Sequence, residues 1–200
     1  MKLHGFAMSP NTRRARVMLE ECGEAYDFVD VDLMTAQHKT DAYRALNPTA
    51  RVPTLVDDDF VLWESNAILE YLAAKHPETK LGAATPHETG RIAQWMFMNA
   101  AHLSPNIARI FAHTIRLPPE KRLPQIVEEA RGEVDRSLGA LDRALDGCDY
   151  LLGRTTIADL STAPTLSAAP MLNLDLPRFP HVVAWYARMS ARAAFKKHFG

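Results

Sequence analysis

Strand-like and helix-like patterns of apolar residues alternate along the first part of the chain. The segments 2–6 and 26–32 alternate apolar with other side chains and predict strands. Between them, apolar residues recur at the spacing of one helix face until Gly23 ends the pattern; they are Ala15, Met18, Leu19 and Cys22. The pattern predicts a strand, a helix and a second strand, with Cys22 expected as a buried small hydrophobe.

Two more strands and two more helices are predicted between the second strand and the first long helix. A polar helix is predicted over 37–46, ending at Asn47-Pro48. Segment 51–55 predicts a strand, Asp57–Asp59 a tight turn into a return strand, and 64–72 a helix. A βαβ unit requires a parallel strand pair, whereas a short turn makes an antiparallel hairpin. The resulting order βαβ, α, ββα is typical of a thioredoxin-like arrangement.

The pattern changes after His76-Pro77, which breaks the last of these helices. Strand-like segments fade, and long helices are predicted over 87–115 and 120–146, followed by shorter ones. Thr156 and Asp159 have the spacing of a capping box at a helix start, so Asp159 is expected to serve folding rather than chemistry.

The predicted fold class is α/β plus all-α. A thioredoxin-like domain is predicted over 1–77, a linker of small residues within 78–86, and an all-helical domain over 87–200.

Composition and charge narrow the range of partners. The chain carries 23 Lys and Arg against 24 Asp and Glu, a formal charge of -1, and 47% of its residues are hydrophobic. A chain without a basic surplus is not expected to bind nucleic acid or an anionic membrane. No apolar run has the pattern of a signal peptide or the length of a membrane span, so a cytoplasmic protein is expected.

The cysteines and histidines do not predict a disulfide or a metal site. Cys22 and Cys148 lie far apart and form no C-x-x-C pattern, and the eight histidines show no ligand spacing. No metal is therefore expected.

The first candidate for chemistry is the loop between the first strand and the first helix, where Ser9 and Asn11 lie. This loop carries no cysteine, so it cannot run dithiol chemistry of its own. Ser9 and Asn11 can donate hydrogen bonds to a thiol that a ligand brings in. The alternative is a plain turn leading into a helix cap.

The second candidate is the segment from Val52-Pro53 to Glu64-Ser65. An X-Pro bond is cis far more often than any other peptide bond, and a cis proline in a turn leaves backbone free to pair with an extended peptide. A helix that begins near Ser65 offers N–H groups and a positive dipole end to a carboxylate. The alternative is an ordinary edge strand followed by an N-cap.

Val52-Pro53 followed by Glu64-Ser65, in this order and spacing, resembles the glutathione transferase family. The resemblance extends over essentially the whole chain and implies glutathione as co-substrate. It implies that backbone beside a cis Pro53 pairs with the cysteine of the tripeptide, and that Glu64 and Ser65 hold its γ-glutamyl end.

The same resemblance implies roles for two further groups of residues. Ser9-Pro10-Asn11 is similar to serine-type theta and phi enzymes and to bacterial Nu-class enzymes, in which disulfide reductase activity prevails. Ser9, assisted by Asn11, is therefore expected to stabilise the thiolate of glutathione without a general base. His38 and Lys39 are implied to reach the glycine carboxylate, with a solvated basic patch as the alternative.

A polar stripe in the first long helix predicts the site of the second substrate. Its residues recur every three or four positions: Asn99, His102, Asn106, Arg109 and His113. Pro105 is expected to bend this helix, so that the stripe lines a cleft between the domains with Met8. Met8, His102, Asn106 and Arg109 are the predicted electrophile-binding residues, with a solvent-exposed helix face as the alternative.

The function expected from the resemblance is that of a cytosolic glutathione transferase in detoxification. Glutathione and a small electrophile or disulfide are its expected partners, and a homodimer its expected assembly. The alternatives are a glutathione-dependent disulfide reductase of the same fold and a non-catalytic module that binds a protein partner, because fold alone does not fix function.

Overall fold

The computed structural model describes residues 1–199, whose contacts form two compact units. The first unit is residues 1–82 with the C-terminal segment from Ala193, and the second is residues 83–192. The strands are β1 Lys2–Gly5, β2 Asp27–Asp30, β3 Thr54–Asp57 and β4 Phe60–Trp63. The helices are α1 Pro10–Glu21, α2 Asp41–Leu46, α3 Ser65–Lys75, α4 Pro86–Met98, α5 Ser104–Phe111, α6 Pro124–Ala144, α7 Ile157–Thr162, α8 Pro180–Ala191 and α9 Ala193–Phe199.

The four strands form one mixed sheet in the order β2-β1-β3-β4. Strand β1 runs parallel to β2 and antiparallel to β3, so that Leu3 lies opposite Phe28 on one side and Leu55 on the other. Strands β3 and β4 form the predicted hairpin, in which Asp58 takes a φ of 53°. Aspartate tolerates this left-handed conformation better than most residues. The predicted thioredoxin-like sheet is confirmed.

The core of the first unit lies between the sheet and the buried faces of α1 and α3, which pack against each other. Ala15, Met18 and Leu19 are buried as predicted. Cys22 is only partly buried, so the prediction of a buried residue is wrong. The reason is that Cys22 follows the last residue of α1 as its C-cap, where the helix leaves the core.

The predicted helix over 37–46 is divided into two elements. Gln37–Lys39 forms one 3₁₀ turn, and α2 begins only at Asp41. Thr40 separates them because its backbone is extended and its side chain accepts a hydrogen bond from the Tyr43 N–H at 3.3 Å. This is the geometry of an N-cap, so α2 cannot extend back to residue 37.

The second unit is helical among its described residues, and its first long helix is interrupted. The segment predicted over 87–115 forms α4 and α5 joined by a π-helical turn, Asn99–Leu103, with a second π turn after α5. Pro105 lies just inside α5. A proline lacks an N–H and clashes with the preceding turn, and the wider π turn before it accommodates both effects.

The predicted capping box begins α7. The side chain of Thr156 accepts from the backbone of the first helical turn, and Asp159 accepts from the Thr156 N–H at 2.9 Å. Asp159 also accepts from the indole N–H of Trp185 at 2.8 Å, and both side chains are fully buried. Asp159 therefore has the structural role that the sequence predicted.

The C-terminal helix α9 packs against α1 and so belongs to the first unit. Lys197 of α9 donates to Glu20 of α1 at 2.7 Å. The sequence pattern places this segment in the helical domain over 87–200. No hydrophobic pattern distinguishes a terminal helix that packs on one unit from a helix that packs on the other, so this placement follows only from the contacts.

Across residues 1–199, none of the helices combines the length and the apolar character needed to cross a membrane.

Candidate active site

Ser9 is the N-cap of α1, as the alternative interpretation of its loop predicted. Its side-chain oxygen accepts a hydrogen bond from the Thr12 N–H at 3.4 Å, and its backbone is extended. A hydroxyl that accepts through its oxygen keeps its hydrogen to donate. The cap and a donor role toward a ligand are therefore compatible at Ser9.

Asn11 and Ser65 meet at one guanidinium group, that of Arg14. Arg14 Nη1 lies 2.9 Å from Asn11 Oδ1 and 2.9 Å from Ser65 Oγ. Asn11 belongs to the first turn of α1 and Ser65 is the first residue of α3. Arg14 therefore joins the N-terminal ends of α1 and α3, although Ser65 follows it by 51 residues in sequence.

Arg14 is a residue of the candidate site that the sequence interpretation missed. Arg14 is only 4% exposed to solvent, and burial lowers the pKa of its guanidinium to about 10. A signal was present, because Arg14 falls at helical spacing from Met18 on the buried face of α1. A charged residue at a core position is nearly always paired, which points to polar partners nearby.

Glu64 precedes α3 in an unusual backbone conformation, with φ 73° and ψ 114°. A residue with a Cβ rarely adopts a positive φ, and such outliers cluster at ligand-binding sites. The Glu64 side chain is exposed and forms no capping bond to the helix. Its carboxylate therefore lies at the start of α3 and does not cap that helix.

The loop that precedes β3 is held by hydrogen bonds from α2 and its C-cap residue. The Val52–Pro53 peptide bond is cis, as the resemblance implies. The carbonyl of Arg51 accepts from Tyr43 Oη at 2.7 Å and from Asn47 Nδ2 at 2.8 Å. Among the described residues, no turn or loop hydrogen bond uses the backbone N–H or C=O of Val52. These two groups are available to an extended ligand.

The sequence predicted His38 and Lys39 at the start of an α-helix. In the structure they lie in the 3₁₀ turn that precedes α2. Lys39 is exposed, whereas His38 is partly buried. The Nδ1 atom of His38 is buried without a hydrogen-bond partner among the described residues.

Met8 lies in the first unit and is 64% exposed. Arg13 donates to the Met8 sulfur at 3.1 Å and to the carbonyl of Ala7 at 3.0 Å. The same guanidinium lies 5.6 Å from the centre of the Phe199 ring. Met8 is thus held by α1 while most of its surface faces solvent.

The predicted polar stripe of the second unit is only partly accessible to solvent. His102 is exposed, but Asn106 is 9% exposed, with its amide donating to the His102 carbonyl at 2.7 Å. Arg109 donates to Asn106 at 3.1 Å and pairs with Glu129 at 3.2 Å.

Asn99, at the start of the stripe, is a core residue. It is 1% exposed and donates to the Ser161 carbonyl at 3.0 Å, so neither interpretation of the stripe, a cleft lining or a solvent-exposed face, is correct for Asn99. The π turn that begins at Asn99 rotates it relative to the later stripe residues and brings it against α7.

No group of three or more His, Cys, Asp or Glu side chains that could hold a metal ion occurs within the part of the chain that the structure describes.

Comparison with known families decides how this geometry is interpreted. A family model described as "Glutathione S-transferase, N-terminal domain" matches residues 1–74, and one described as "Glutathione S-transferase, C-terminal domain" matches residues 103–193. The chain belongs to the glutathione S-transferase family. The N-terminal match contains every residue that the sequence predicted for glutathione. The predicted family and fold are both confirmed.

Individual glutathione transferases resemble the chain over nearly its whole length. Glutathione S-transferase 3 of Zea mays is 35% identical over 205 residues, which cover 98% of this chain and 92% of that protein. One solved relative is a theta class glutathione S-transferase from the citrus canker pathogen Xanthomonas axonopodis pv. citri, crystallised with glutathione bound. Its structure matches this chain with a TM-score of 0.90 at 33% identity, and the match covers 99% of this chain and 96% of the relative.

A third glutathione transferase was solved with a disulfide ligand. URE2P6 from Phanerochaete chrysosporium, in complex with oxidized glutathione, has a TM-score of 0.90 at 28% identity and covers 99% of this chain and 94% of that one.

Proposed function

We propose that this protein is a glutathione transferase that binds glutathione in its first unit and activates the glutathione thiol as a thiolate. The observation that carries the proposal is the meeting of Asn11 and Ser65 at Arg14. It brings the N-terminal ends of α1 and α3 to one place. Helix N-termini offer unsatisfied N–H groups and a positive dipole end, which suit the thiolate and the γ-glutamyl carboxylate of bound glutathione.

Ser9 and Asn11 have the chemistry that thiolate formation requires. A free thiol has a pKa of about 8.5 and is mostly protonated at neutral pH. Lowering that pKa by about 2 requires about 2.7 kcal/mol of preferential stabilisation of the thiolate. One hydrogen bond to a charged group supplies about 1.5–3 kcal/mol, and a helix N-terminus a further 0.3–1 kcal/mol or so. Two donors at the start of α1 are therefore sufficient without a general base.

The remaining glutathione-binding residues would hold the tripeptide at points along its length. The free backbone groups of Val52, beside Pro53, would pair with its cysteine in the manner of an added strand. Ser65 would donate to the γ-glutamyl carboxylate, and the exposed carboxylate of Glu64 would accept from the α-amino group. His38 and Lys39 would lie toward the glycine carboxylate.

The second substrate is proposed to be a small electrophile. We further propose a cytoplasmic homodimer active in detoxification, a role that the family resemblance supports. The nucleophilic sulfur would attack an electrophilic carbon, forming a thioether and releasing the leaving group where the substrate has one.

Disulfide reduction is the second candidate activity. The structural neighbour solved with oxidized glutathione favours it, as does a loop that carries both a hydroxyl and an amide donor. In that reaction the glutathione thiolate attacks a disulfide sulfur and releases the other half as a thiolate. The mixed disulfide then requires a second glutathione.

The test begins with retention of the protein on immobilised glutathione and with thiolate absorbance of bound glutathione against pH. Parallel activity assays should use an aryl halide, a small disulfide and a hydroperoxide. We expect binding, ionisation of glutathione below its solution pKa, and turnover of the aryl halide. Turnover of the disulfide alone would make the second candidate the correct one. Failure to bind glutathione would contradict both.

A further inference from the structure

Arg14 donates side-chain hydrogen bonds to both Asn11 and Ser65 through a single nitrogen. Nη1 lies 2.9 Å from Asn11 Oδ1 and 2.9 Å from Ser65 Oγ. A guanidinium nitrogen of this kind carries two hydrogens, so each acceptor can receive one. The two contacts are therefore compatible with each other and share one rigid planar group.

The direction of both hydrogen bonds follows from the chemistry of arginine. A guanidinium has donors and no acceptor, so the atom of Asn11 that faces it must be the carbonyl oxygen. The amide nitrogen of Asn11 then faces away from Arg14, with both hydrogens available. Ser65 likewise uses an oxygen lone pair toward Arg14, which leaves its own hydrogen to donate elsewhere.

Arg14 thus determines which hydrogen-bonding group each neighbour presents. Without it, an asparagine amide can rotate by half a turn and present its oxygen, which would repel a thiolate. A serine hydroxyl can similarly turn its lone pairs toward a carboxylate. Asn11 is exposed, so packing by neighbouring side chains does not fix its amide.

We propose that Arg14 is a positioning residue that holds Asn11 and Ser65 as hydrogen-bond donors toward bound glutathione and couples the thiol end of its site to the γ-glutamyl end. The inference rests on the proposed function, because it assigns the ligand groups that the two donors meet. It gives a buried arginine a role in both parts of the site without requiring contact between Arg14 and the ligand.

The charge of Arg14 adds to this effect. Burial lowers its pKa to about 10, which leaves the guanidinium protonated at neutral pH. A positive charge behind both donors strengthens their hydrogen bonds to anions, since charge-assisted networks polarise their members.

The test compares Arg14→Lys with Arg16→Lys. The control changes an arginine of the same helix that contacts Tyr26 and Phe28 and lies outside the proposed site. Lysine keeps the charge but loses the planar group. We expect Arg14→Lys to raise the pKa of bound glutathione by about 1 and its Kd by about tenfold, and Arg16→Lys to change neither. Thiolate absorbance gives the pKa, calorimetric titration gives Kd, and chemical denaturation verifies that each variant is folded.

Double-variant cycles separate positioning from packing. In an Asn11→Ala background, Arg14→Lys should no longer raise the thiol pKa, and in a Ser65→Ala background it should no longer raise Kd. Effects of equal size in every background would overturn the inference and leave Arg14 as a packing residue. A wild type that neither binds nor ionises glutathione would instead overturn the proposed function, and this role with it.

If Arg14→Lys does not fold, Asn11→Ala and Ser65→Ala provide the same test without changing Arg14. The structure shows no hydrogen bond that joins these two residues directly, but both bond the same nitrogen of Arg14. We expect their effects on Kd and thiol pKa to be non-additive, with the double variant departing by at least about threefold from the product of the single effects. Strict additivity would contradict coupling through Arg14.

Discussion

The phenolic hydroxyl of Tyr43 donates a hydrogen bond of 2.7 Å to the carbonyl of Arg51, the residue that precedes Val52-Pro53. Asn47 donates to the same carbonyl and also to the Thr54 hydroxyl. Because the phenol hydrogen is engaged by Arg51, the 2.9 Å contact between Tyr43 and Thr54 is a bond that Thr54 donates. Helix α2 thereby fixes the loop on both sides of the proposed glutathione contact at Val52.

Tyr43→Phe removes one anchor of this loop and keeps the ring. We expect a loss of about 1 kcal/mol in the free energy of unfolding, the usual contribution of one buried hydrogen bond. We also expect the Kd for glutathione to rise by about threefold to tenfold, because the loop is held less firmly in its binding conformation. Tyr26→Phe is the control, since Tyr26 bonds only Arg16 among its described contacts and lies elsewhere. Equal losses of affinity in both variants would contradict a local role for Tyr43.

Glu64 combines an unfavourable backbone conformation with a proposed ligand contact, and two substitutions separate these properties. Glu64→Gly removes the Cβ that makes a φ of 73° costly, so we expect the free energy of unfolding to rise by about 1 kcal/mol. Glu64→Gln keeps the Cβ and should leave stability within about 0.5 kcal/mol of wild type. Both remove the carboxylate and should weaken glutathione binding. Unchanged affinity in both would remove Glu64 from the binding site.

The sequence predicted those features of the structure that depend on local pattern. The order of strands and helices in the first unit, the α7 capping box and the return strand before the helix at Ser65 each rest on a few neighbouring residues with a fixed conformational preference. The helical spacing from Met18 indicates that Arg14 is buried, but it does not identify the partner Ser65, which is distant in sequence.

The hydrophobic pattern also could not predict side-chain positions that depend on where a helix begins or ends. Because Thr40 caps α2, this helix begins later than the sequence pattern predicted, and His38 and Lys39 lie in a 3₁₀ turn instead. The π turn at Asn99 changed which residues of the polar stripe face outward. A single cap or one extra residue per turn rotates every following side chain, which hydrophobic periodicity does not resolve.

His38 and Lys39 can be distinguished by the salt dependence of glutathione binding. His38→Ala should raise Kd modestly, by about threefold, and more at low than at high ionic strength, because the proposed partner is a carboxylate near solvent. Lys39→Ala is the matched comparison, since Lys39 is the more exposed neighbour in the same turn. Titrations at several salt concentrations measure both. A loss that does not vary with salt would mean that His38 contributes by packing.

Asp159 stabilises the second unit through several donors at once. It accepts from Trp185 at 2.8 Å, from Thr156 at 2.9 Å and from the Leu151 N–H at 3.1 Å. Burial raises the pKa of its carboxyl, and these hydrogen bonds oppose that effect. We expect Asp159→Ala to lower the free energy of unfolding by about 3–5 kcal/mol, since buried donors lose their partner. Trp185→Phe, which removes one donor, should cost less. Chemical denaturation measures both, and an equal cost would mean that packing around Trp185 dominates.

The pH dependence of turnover tests whether Ser9 or Asn11 carries thiolate stabilisation. The thiolate is the reactive form, so kcat/KM should rise with pH and level off above the pKa of glutathione in its complex. Because each donor stabilises the thiolate, removing it should raise that pKa and move the rising limb to higher pH. Ser9→Ala and Asn11→Ala should each shift it by about 1 or more, given the usual strength of a hydrogen bond to a charged group.

The double variant determines how the two donors act together. If both contact the same sulfur, the combined shift in the pKa of bound glutathione should differ from the sum of the single shifts. A shift in Asn11→Ala alone would leave Ser9 as the cap of α1, the role that its 3.4 Å bond from Thr12 already supports. A shift in neither variant, with glutathione still bound, would show that the start of α1 does not activate the thiol.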